Sequence, residues 1–225
     1  LGYGDIGPFG SEINRTPNLD RMAKEGCKLT SFYASPVCSP SRASLMTGCY
    51  SKRVLPIPLV FFPGDKNGLS PKEITVAEVL KEAGYATSIV GKWHLGDQAE
   101  FLPLQQGFDH YYGLPYSNDM GPTRDGVKSN LGEPLPLTKP GSKEQPPLPL
   151  VRDNEVVKRV LPDDQQALVE NYTNEACRFI SEHKNTPFFL YLPHNAIHWP
   201  LYPGKKWAGR SPHGIYSDWV EAVSY

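Results

Sequence analysis

The sequence predicts an α/β fold in which a central, mostly parallel β-sheet is flanked by helices. Two stretches support this fold class, because each contains an amphipathic helix pattern followed by a short apolar strand, at residues 75–90 and 164–192. Repeated helix-to-strand units are typical of sheets whose strands run parallel. The chain has 225 residues, which is enough to bury a core without help from disulfides.

The first predicted helix begins at Pro17, with Thr16 as its N-cap, and ends at Gly26. Its apolar face is predicted to contain Leu19, Met22 and Ala23. Residues 28–33 alternate in polarity and predict a short strand.

The second helix has a clearer start, since Thr75 and Glu78 form a capping-box pattern and Gly84 stands at the far end. Residues 85–90 then predict a buried strand that ends at Gly91. The apolar face of this helix comprises Val76, Val79, Leu80 and Ala83.

A third helix is predicted over residues 164–183 and is followed, after Pro187, by a strand at residues 188–192. Cys177 is expected in the core of this helix. The side chains that share its apolar face are Leu168, Tyr172, Ala176, Phe179 and Ile180.

Residues 115–162 show little periodicity and predict a long surface excursion that forms a lid or rim rather than a domain boundary. In α/β folds such loops overhang the carboxyl ends of the strands, where ligands bind. The prolines concentrated there are Pro134, Pro136, Pro140, Pro146, Pro147 and Pro149.

Composition disfavours two classes of partner. The 23 basic and 24 acidic residues give a net charge of -1, so no general basic field attracts nucleic acid or an anionic membrane. No run of 18 apolar residues predicts a membrane span, and no signal-peptide pattern is present in this chain. The cysteines lack zinc-site spacing and the density of a disulfide scaffold; they are Cys27, Cys38, Cys49 and Cys177.

Residues 36–48 predict a turn that carries Cys38, followed by a helix with Pro40 near its first turn and Arg42 at the same end. A helix N-terminus offers unpaired N–H groups and a positive dipole end, which suit a tetrahedral oxyanion. The alternative for an isolated cysteine is a buried structural residue beside an N-capping serine.

Specific motifs decide between these two interpretations. Residues 38–48 read Cys-x-Pro-Ser-Arg followed by Leu-x-Thr-Gly, and this pattern resembles the signature of the type I, formylglycine-dependent sulfatases. Residues 84–94 resemble a second motif of that family, and the resemblance runs through the whole chain. It is most similar to the arylsulfatase A and N-acetylgalactosamine-6-sulfatase branch. Further landmarks are residues 1–5, 16–20, 107–109 and 187–190.

The resemblance implies an alkaline phosphatase-like sandwich, of which residues 1–225 form the incomplete N-terminal part of the catalytic domain. It implies hydrolysis of sulfate esters to an alcohol and inorganic sulfate. Cys38 is then the residue that a formylglycine-generating or sulfatase-maturing enzyme oxidises to formylglycine (3-oxoalanine). One hydroxyl of the hydrated aldehyde attacks sulfur, and deprotonation of the other expels sulfate.

The same resemblance assigns roles to neighbouring residues. Arg42, one helical turn after Cys38, holds the formylglycine oxygen or a metal-ligating carboxylate. Lys92 binds sulfate, and His94 assists the hydroxyls as acid or base. Lys92 and His94 reach one pocket if the chain is extended between them, which turns Trp93 into the core.

Two further residues complete the predicted site. Ser117, in a Pro-flanked turn, contacts the substrate sulfate, and His198 binds sulfate or protonates the leaving alcohol. Prolines around His194 and His198 argue against a metal-binding helix, so His194 is structural or peripheral. The other histidines are expected to be partly exposed and non-catalytic: His110, His183 and His213.

The family also implies a divalent cation, usually Ca²⁺, between the sulfate oxygens and position 38, which supplies one ligand itself. An aspartate pair before Leu1 and an Asp-Asn pair after Tyr225 are expected to supply the other ligands, so this chain alone is not expected to bind Ca²⁺ tightly. Four aspartates match no ligand position of the family: Asp5, Asp20, Asp109 and Asp119.

The expected partners are a sulfated small molecule or glycan and the maturing enzyme, in a secreted, periplasmic or lysosomal protein. Two alternatives remain at this point. One is a formylglycine phosphonate or phosphodiester hydrolase, because phosphoryl and sulfuryl groups share tetrahedral oxyanion chemistry. The other is a non-catalytic module that binds sulfated glycans.

Overall fold

The computed structural model describes residues 1–132 and 144–225. Pro134, Pro136 and Pro140 of the predicted surface excursion lie outside the described residues. The elements in chain order are α1 (Pro17–Glu25), α2 (Cys38–Thr47), α3 (Ser51–Val54), α4 (Val76–Glu82), β1 (Ala86–Val90), β2 (His110–Gly113), β3 (Pro149–Arg152), β4 (Glu155–Arg159), α5 (Pro162–Gln165), α6 (Leu168–Glu182), β5 (Phe188–Tyr191) and α7 (Ile215–Ser224). Short 3₁₀ turns are formed by Tyr3–Asp5, Gly7–Phe9, Ala99–Phe101, Pro103–Gln106, Thr123–Asp125 and Asn130–Gly132.

The five strands form one sheet in the order β4-β3-β2-β1-β5. β1 lies between β2 and β5 and is parallel to both, whereas β3 is antiparallel to β2 and to β4. The α/β class is therefore confirmed. The sheet is mixed, and β5, β1 and β2 form its parallel part. In the described ranges no helix is long and apolar enough to cross a bilayer.

The core lies on both faces of this sheet, because alternate residues of a strand point to opposite faces. Ile89, Tyr111 and Val151 pack in one cluster with Met46 of α2 and Ala77 of α4. Their neighbours along the strands pack in a second cluster with residues of α6: Val90, Tyr112, Leu150, Leu168 and Tyr172. Helices thus cover both faces, as an α/β sandwich requires.

The capping box predicted before α4 is present. The hydroxyl of Thr75 accepts the Glu78 N–H at 3.2 Å, and the Glu78 carboxylate accepts the Thr75 N–H at 2.7 Å. The same hydroxyl donates to the Gln106 carbonyl at 2.8 Å. Gly84 adopts φ +87°, which lets the chain turn from α4 into β1 without the strain that a side chain would cause.

The helix predicted near the N-terminus forms as α1, with Thr16 at the N-cap position and Pro17 as its first residue as predicted, but its buried face was predicted wrongly. The Thr16 hydroxyl accepts the N–H of Gly7 at 2.8 Å and makes no capping bond to the helix. Met22, on the predicted apolar face, is 67% exposed, and no residue of α1 is buried in the described structure.

No strand forms at residues 28–33, so that prediction is wrong. These residues are exposed, and none of the five described strands pairs with them. A strand is stable only when a neighbour accepts and donates its backbone hydrogen bonds, and alternating polarity does not supply that neighbour. Side-chain contacts hold the segment instead, such as that from the Lys28 ammonium to the Pro8 carbonyl at 2.8 Å.

Residues 115–162 were predicted to form an irregular surface excursion. That prediction is wrong at the C-terminal end of this segment, which contains two strands. β3 and β4 form a hairpin there, and Asp153 in its turn has φ 55°. Asp and Asn are the residues that tolerate this left-handed conformation, so Asp153-Asn154 between two valine-containing runs was a usable hairpin signal.

The predicted helix over residues 164–183 is divided into α5 and α6. Most of its predicted apolar face is buried, but Ile180 is 41% exposed. Cys177 is also exposed, so its placement in the helix core was wrong. The helix presents only a narrow stripe to the sheet, and both residues lie outside that stripe.

Two glycines allow a close approach of backbones where β1 and β2 end. A Cβ atom on Gly113 would lie 1.7 Å from the carbonyl oxygen of Gly91. A Cβ on Gly91, which has φ +132°, would lie 2.2 Å from the carbonyl oxygen of Pro193. The chain after β1 is therefore enclosed by backbone on both sides.

We predict that Gly113→Ala lowers the free energy of unfolding by about 3 kcal/mol, because the added methyl group forces two central strands apart. Urea unfolding measures the change. Gly4→Ala is the matched control, since nothing lies within 4 Å of the point that its added methyl group would occupy, and its effect should stay within about 0.5 kcal/mol. Equal losses in the two variants would contradict the close approach.

Candidate active site

Cys38 is the first residue of α2, whereas the sequence predicts a turn there that precedes the helix, and it is partly exposed. The next two residues, Ser39 and Pro40, are buried. The Ser39 hydroxyl donates to the carbonyl of His94 at 2.8 Å and accepts the N–H of Phe61 at 3.3 Å. These bonds attach the N-terminus of α2 to the chain that follows β1.

Arg42 lies one turn further along α2. Its guanidinium donates to the backbone carbonyl of Lys92 and, at 3.5 Å, to that of Trp93. The sequence predicts a different partner, either the oxygen of a modified residue 38 or a carboxylate. In this structure Arg42 fixes the backbone that carries Lys92, and Trp93 turns into the core as predicted.

Three of the predicted residues converge through their side chains. The ammonium of Lys92 donates to the Ser117 hydroxyl at 2.9 Å. That hydroxyl oxygen lies 3.3 Å from both ring nitrogens of His198. Lys92 is only 2% exposed, whereas the side chain of His198 is 41% exposed. The cluster therefore joins a buried cation to a histidine that faces solvent.

The pKa of Lys92 is lowered to about 8, mainly by burial and to a smaller extent by the positive charge of Arg42. The Cys38 side chain and the Asp119 carboxylate act in the opposite direction. Lys92 is therefore mainly protonated at neutral pH and loses its charge just above that range. A cation with so few partners is suited to an incoming anion.

His94 enters the site differently from the prediction, since its φ of 59° shows that the chain is not extended there. Its Nε2 lies 2.9 Å from the Phe61 carbonyl, while Nδ1 is buried with no hydrogen-bond partner among the described residues. Burial, followed by the charge of Lys92, lowers the pKa of His94 well below its usual value. A carbonyl only accepts, so Nε2 carries the proton and Nδ1 has a free lone pair.

None of the hydrogen bonds between described residues joins the His94 ring to Cys38, Lys92, Ser117 or His198. His94 is linked to this group through its own carbonyl and through charge. The structure thus brings all six predicted residues into hydrogen-bonded or electrostatic contact around Lys92, while the His94 ring itself lies against the Phe61 carbonyl.

Asp119 belongs to the site although the sequence did not indicate it. Its Oδ1 atom is 3.9 Å from Nδ1 of His198 and makes no hydrogen bond within the described residues. Burial is the main cause that lowers the pKa of His198, and the positive charge of Lys92 lowers it further. The negative charge of Asp119 acts in the opposite direction and raises this pKa. The available signal was position: Asp119 follows Ser117 by two residues in the same turn.

The remaining histidines take no part in this cluster. His110 contacts the carboxylates of Asp153 at 2.8 Å and Glu175 at 2.6 Å, at the opposite end of β2 from Gly113. His194 is mostly buried, which lowers its pKa to about 4, and His213 is exposed. His183 contacts the Phe179 carbonyl within its own helix.

Comparison with known proteins gives a consistent result. The family model described as sulfatase matches residues 1–221. The chain belongs to the sulfatase family. Among curated relatives, this sulfatase chain is 38% identical to the N-acetylgalactosamine-6-sulfatase of Rattus norvegicus, over 99% of this chain and 42% of that protein. It is also 38% identical to arylsulfatase A of Homo sapiens, over 97% of this chain and 43% of that protein.

Solved structures agree with the family. The PsFucS1 sulfatase from Pseudoalteromonas sp. superposes with a TM-score of 0.80 and 31% identity, over 100% of this chain and 48% of that one. A protein of the alkaline phosphatase superfamily from Vibrio parahaemolyticus shares the fold at a TM-score of 0.50 and 21% identity, over 100% of this chain and 45% of that one. This sulfatase chain spans less than half the length of these relatives.

The described residues of this sulfatase chain do not make a calcium site. Residues 1–132 and 144–225 bring together no group of three or more His, Cys, Asp or Glu side chains that could hold a metal ion. Ca²⁺ takes six to eight oxygen ligands, and the predicted set here contains position 38 alone. The calcium prediction therefore stays a prediction, and the roles of Lys92, Ser117 and His198 are derived without the cation.

We predict that inorganic sulfate binds this chain more weakly as pH rises from 7 to 9, because Lys92 loses its proton near pH 8. Loss of the charged contact should weaken binding about tenfold. Isothermal titration calorimetry at several pH values measures the change. Lys92→Arg stays charged in this range and should show a flat profile. The same decline in Lys92→Met would exclude Lys92 as the titrating group.

Proposed function

We propose that the protein containing this chain hydrolyses sulfate esters to an alcohol and inorganic sulfate. The observation that carries the proposal is the buried Lys92, bonded to Ser117 and in electrostatic contact with Cys38 at the N-terminus of α2. Membership of the sulfatase family supports the same reaction. The arrangement offers a cation, a hydroxyl and a helix N-terminus to one tetrahedral anion.

The sulfate group is bound by charge and by hydrogen bonds from groups that are already fixed. Lys92 supplies the charge, and its backbone is held by Arg42. Ser117 donates its hydroxyl proton from within a buried turn. Because these donors are positioned before the substrate arrives, little reorganisation opposes binding or charge development.

Position 38 supplies the nucleophile once the thiol has been converted to formylglycine by a maturing enzyme. The modified group contributes a hydroxyl oxygen that attacks sulfur. His94 acts as the base of this site through the lone pair on Nδ1, which has no hydrogen-bond partner among the described residues. Arg42 positions the backbone that leads to His94, because it donates to the carbonyls of Lys92 and Trp93.

His198 delivers the proton to the leaving alcohol. It is the exposed member of the cluster, and it lies between Ser117 and Asp119, 3.9 Å from the carboxylate of the latter. Its lowered pKa means that the protonated ring is populated only in acid. Proton donation is therefore favoured at acidic pH.

The substrates are sulfated small molecules or glycans, in a secreted, periplasmic or lysosomal setting. Support for a glycan comes from the related Ps i-CgsB, 29% identical over all of this chain, whose structure is known in complex with k-i-k-neocarrahexaose. The proposal concerns the whole protein, of which residues 1–225 are the nucleophile-bearing part of the catalytic domain.

We predict that Cys38→Ala removes sulfatase activity in the whole protein, by at least about 10³-fold, because the nucleophile is lost. Mass spectrometry of the peptide that contains residue 38 should show formylglycine in the active enzyme. Cys177→Ala is the control, since that thiol is exposed and outside the site, and it should keep full activity.

Activity retained in the Cys38→Ala protein would contradict the mechanism. Rates on an aryl sulfate and an aryl phosphonate separate the proposal from a phosphonate hydrolase, with the sulfate expected to react faster. Unmodified cysteine together with sulfated-glycan binding and no turnover would instead favour a binding module.

We predict that His198→Ala slows hydrolysis most for substrates with poor leaving groups, by about 10²–10⁴-fold for a sugar sulfate. Nitrophenyl sulfate should be affected least, because its leaving group needs no proton. Steady-state kcat values for both substrates measure the difference, with the exposed His213→Ala as control. Equal losses on both substrates would assign His198 to sulfate binding.

A further inference from the structure

A cavity of about 890 Å³ lies between α6, the end of α7 and the loop at residues 203–210. None of the six predicted site residues lines it, so it is separate from the candidate active site. Cavities of about 300–1,000 Å³ are typical of sites for small ligands. Its size alone does not identify a class of ligand.

The lining is rich in cations. It includes four basic residues and two acidic ones, namely Arg15, Lys205, Lys206, Arg210, Asp163 and Glu170. Lys205 pairs with Asp163 at 3.3 Å, and Arg15 pairs with Glu221 at 3.1 Å. No carboxylate in the described part of the chain forms an ion pair with Lys206 or Arg210. Lys206 and Arg210 therefore face this cavity without an ion-pair partner among the described residues, and so does one carboxylate, that of Glu170.

Trp207 holds these two cations in place. The ammonium of Lys206 lies 5.9 Å from the centre of the indole ring, and the guanidinium of Arg210 lies 5.1 Å from it. The ring of Tyr225 is 4.9 Å away and tilted by 43°. Stacking on an aromatic ring orients a guanidinium while its N–H groups remain able to bind an anion.

The loop that carries these residues is anchored at both ends. The Gly204 N–H donates to the side-chain oxygen of Gln166 at 3.1 Å. At the other end, the N–H groups of Gly209 and Ser211 donate to the carboxylate of Asp218 at 2.7 and 2.6 Å. Asp218 is 2% exposed on α7. A loop fixed in this way loses little freedom when a ligand binds.

We propose that this cavity binds an anionic saccharide at a site separate from the one that contains Cys38. Lys206 and Arg210 bind its sulfate or carboxylate groups, and the aromatic pair offers an apolar surface to a sugar ring. Amide side chains of Gln166 and Asn174 in the same lining suit sugar hydroxyls. The inference goes beyond the proposed function because this binding does not require turnover at Cys38.

The test uses the whole protein with Cys38→Ala and Lys92→Ala, which disable the candidate active site. A heparin-derived tetrasaccharide is titrated by calorimetry, and we expect binding to remain. Adding Lys206→Ala with Arg210→Ala should weaken it at least about tenfold, and Trp207→Ala about threefold to tenfold. Lys184→Ala is the matched control, an exposed lysine outside the cavity, and should change affinity less than about twofold.

Hydrogen exchange provides a second readout, because the tetrasaccharide should protect backbone amides at residues 203–211. Three results would overturn the proposal. These are equal weakening in the Lys184→Ala control, absence of protection in this loop, or equally tight binding of inorganic sulfate or an acidic peptide. Loss of sulfatase activity in Cys38→Ala alone is a separate readout, so failure of either proposal is recognisable.

Discussion

The hydrogen bonds that hold residues 91–94 between two backbone segments determine the geometry of the candidate active site. The N–H of Gly91 donates to Tyr112 at 2.8 Å, and the N–H of Lys92 donates to Pro193 at 2.8 Å. The next two N–H groups donate to Leu114 and Pro115 at 3.0 Å. The segment after β1 therefore continues the sheet hydrogen bonding beyond the strand itself, which is possible only because no side chain intervenes at positions 91 and 113.

This constraint explains how a lysine comes to be buried. A charged ammonium in a protein interior is costly unless it is paired. Lys92 has one hydrogen bond to Ser117 and only distant carboxylates, so its charge is poorly compensated. The rigid backbone nevertheless keeps the Lys92 side chain buried, and the negative charge of a bound sulfate would compensate its positive charge. The cost is offset elsewhere by the two hydrophobic clusters that cover the sheet.

The sequence predicted local features well where the physical signal was also local. The capping box at Thr75 and Glu78 and a helix with Pro40 in its first turn depend on neighbouring residues, and both formed as expected, although the helix already begins at Cys38. Predictions failed where a distant partner decided the outcome. Residues 28–33 lacked a neighbouring strand, and the position of Cys177 depended on which stripe of α6 faces the sheet.

The candidate site shows the same division. Sequence motifs alone predicted the six residues Cys38, Arg42, Lys92, His94, Ser117 and His198, because each lies in a specific local pattern. Only the tertiary structure showed that Arg42 binds backbone carbonyls, that the His94 ring faces Phe61 and that Asp119 approaches His198. These contacts join residues 33 to 79 positions apart along the chain, and separations of that kind leave no periodic signal in the sequence. The sequence determined which chemical groups are present, and the packing of strand ends decided which of them meet.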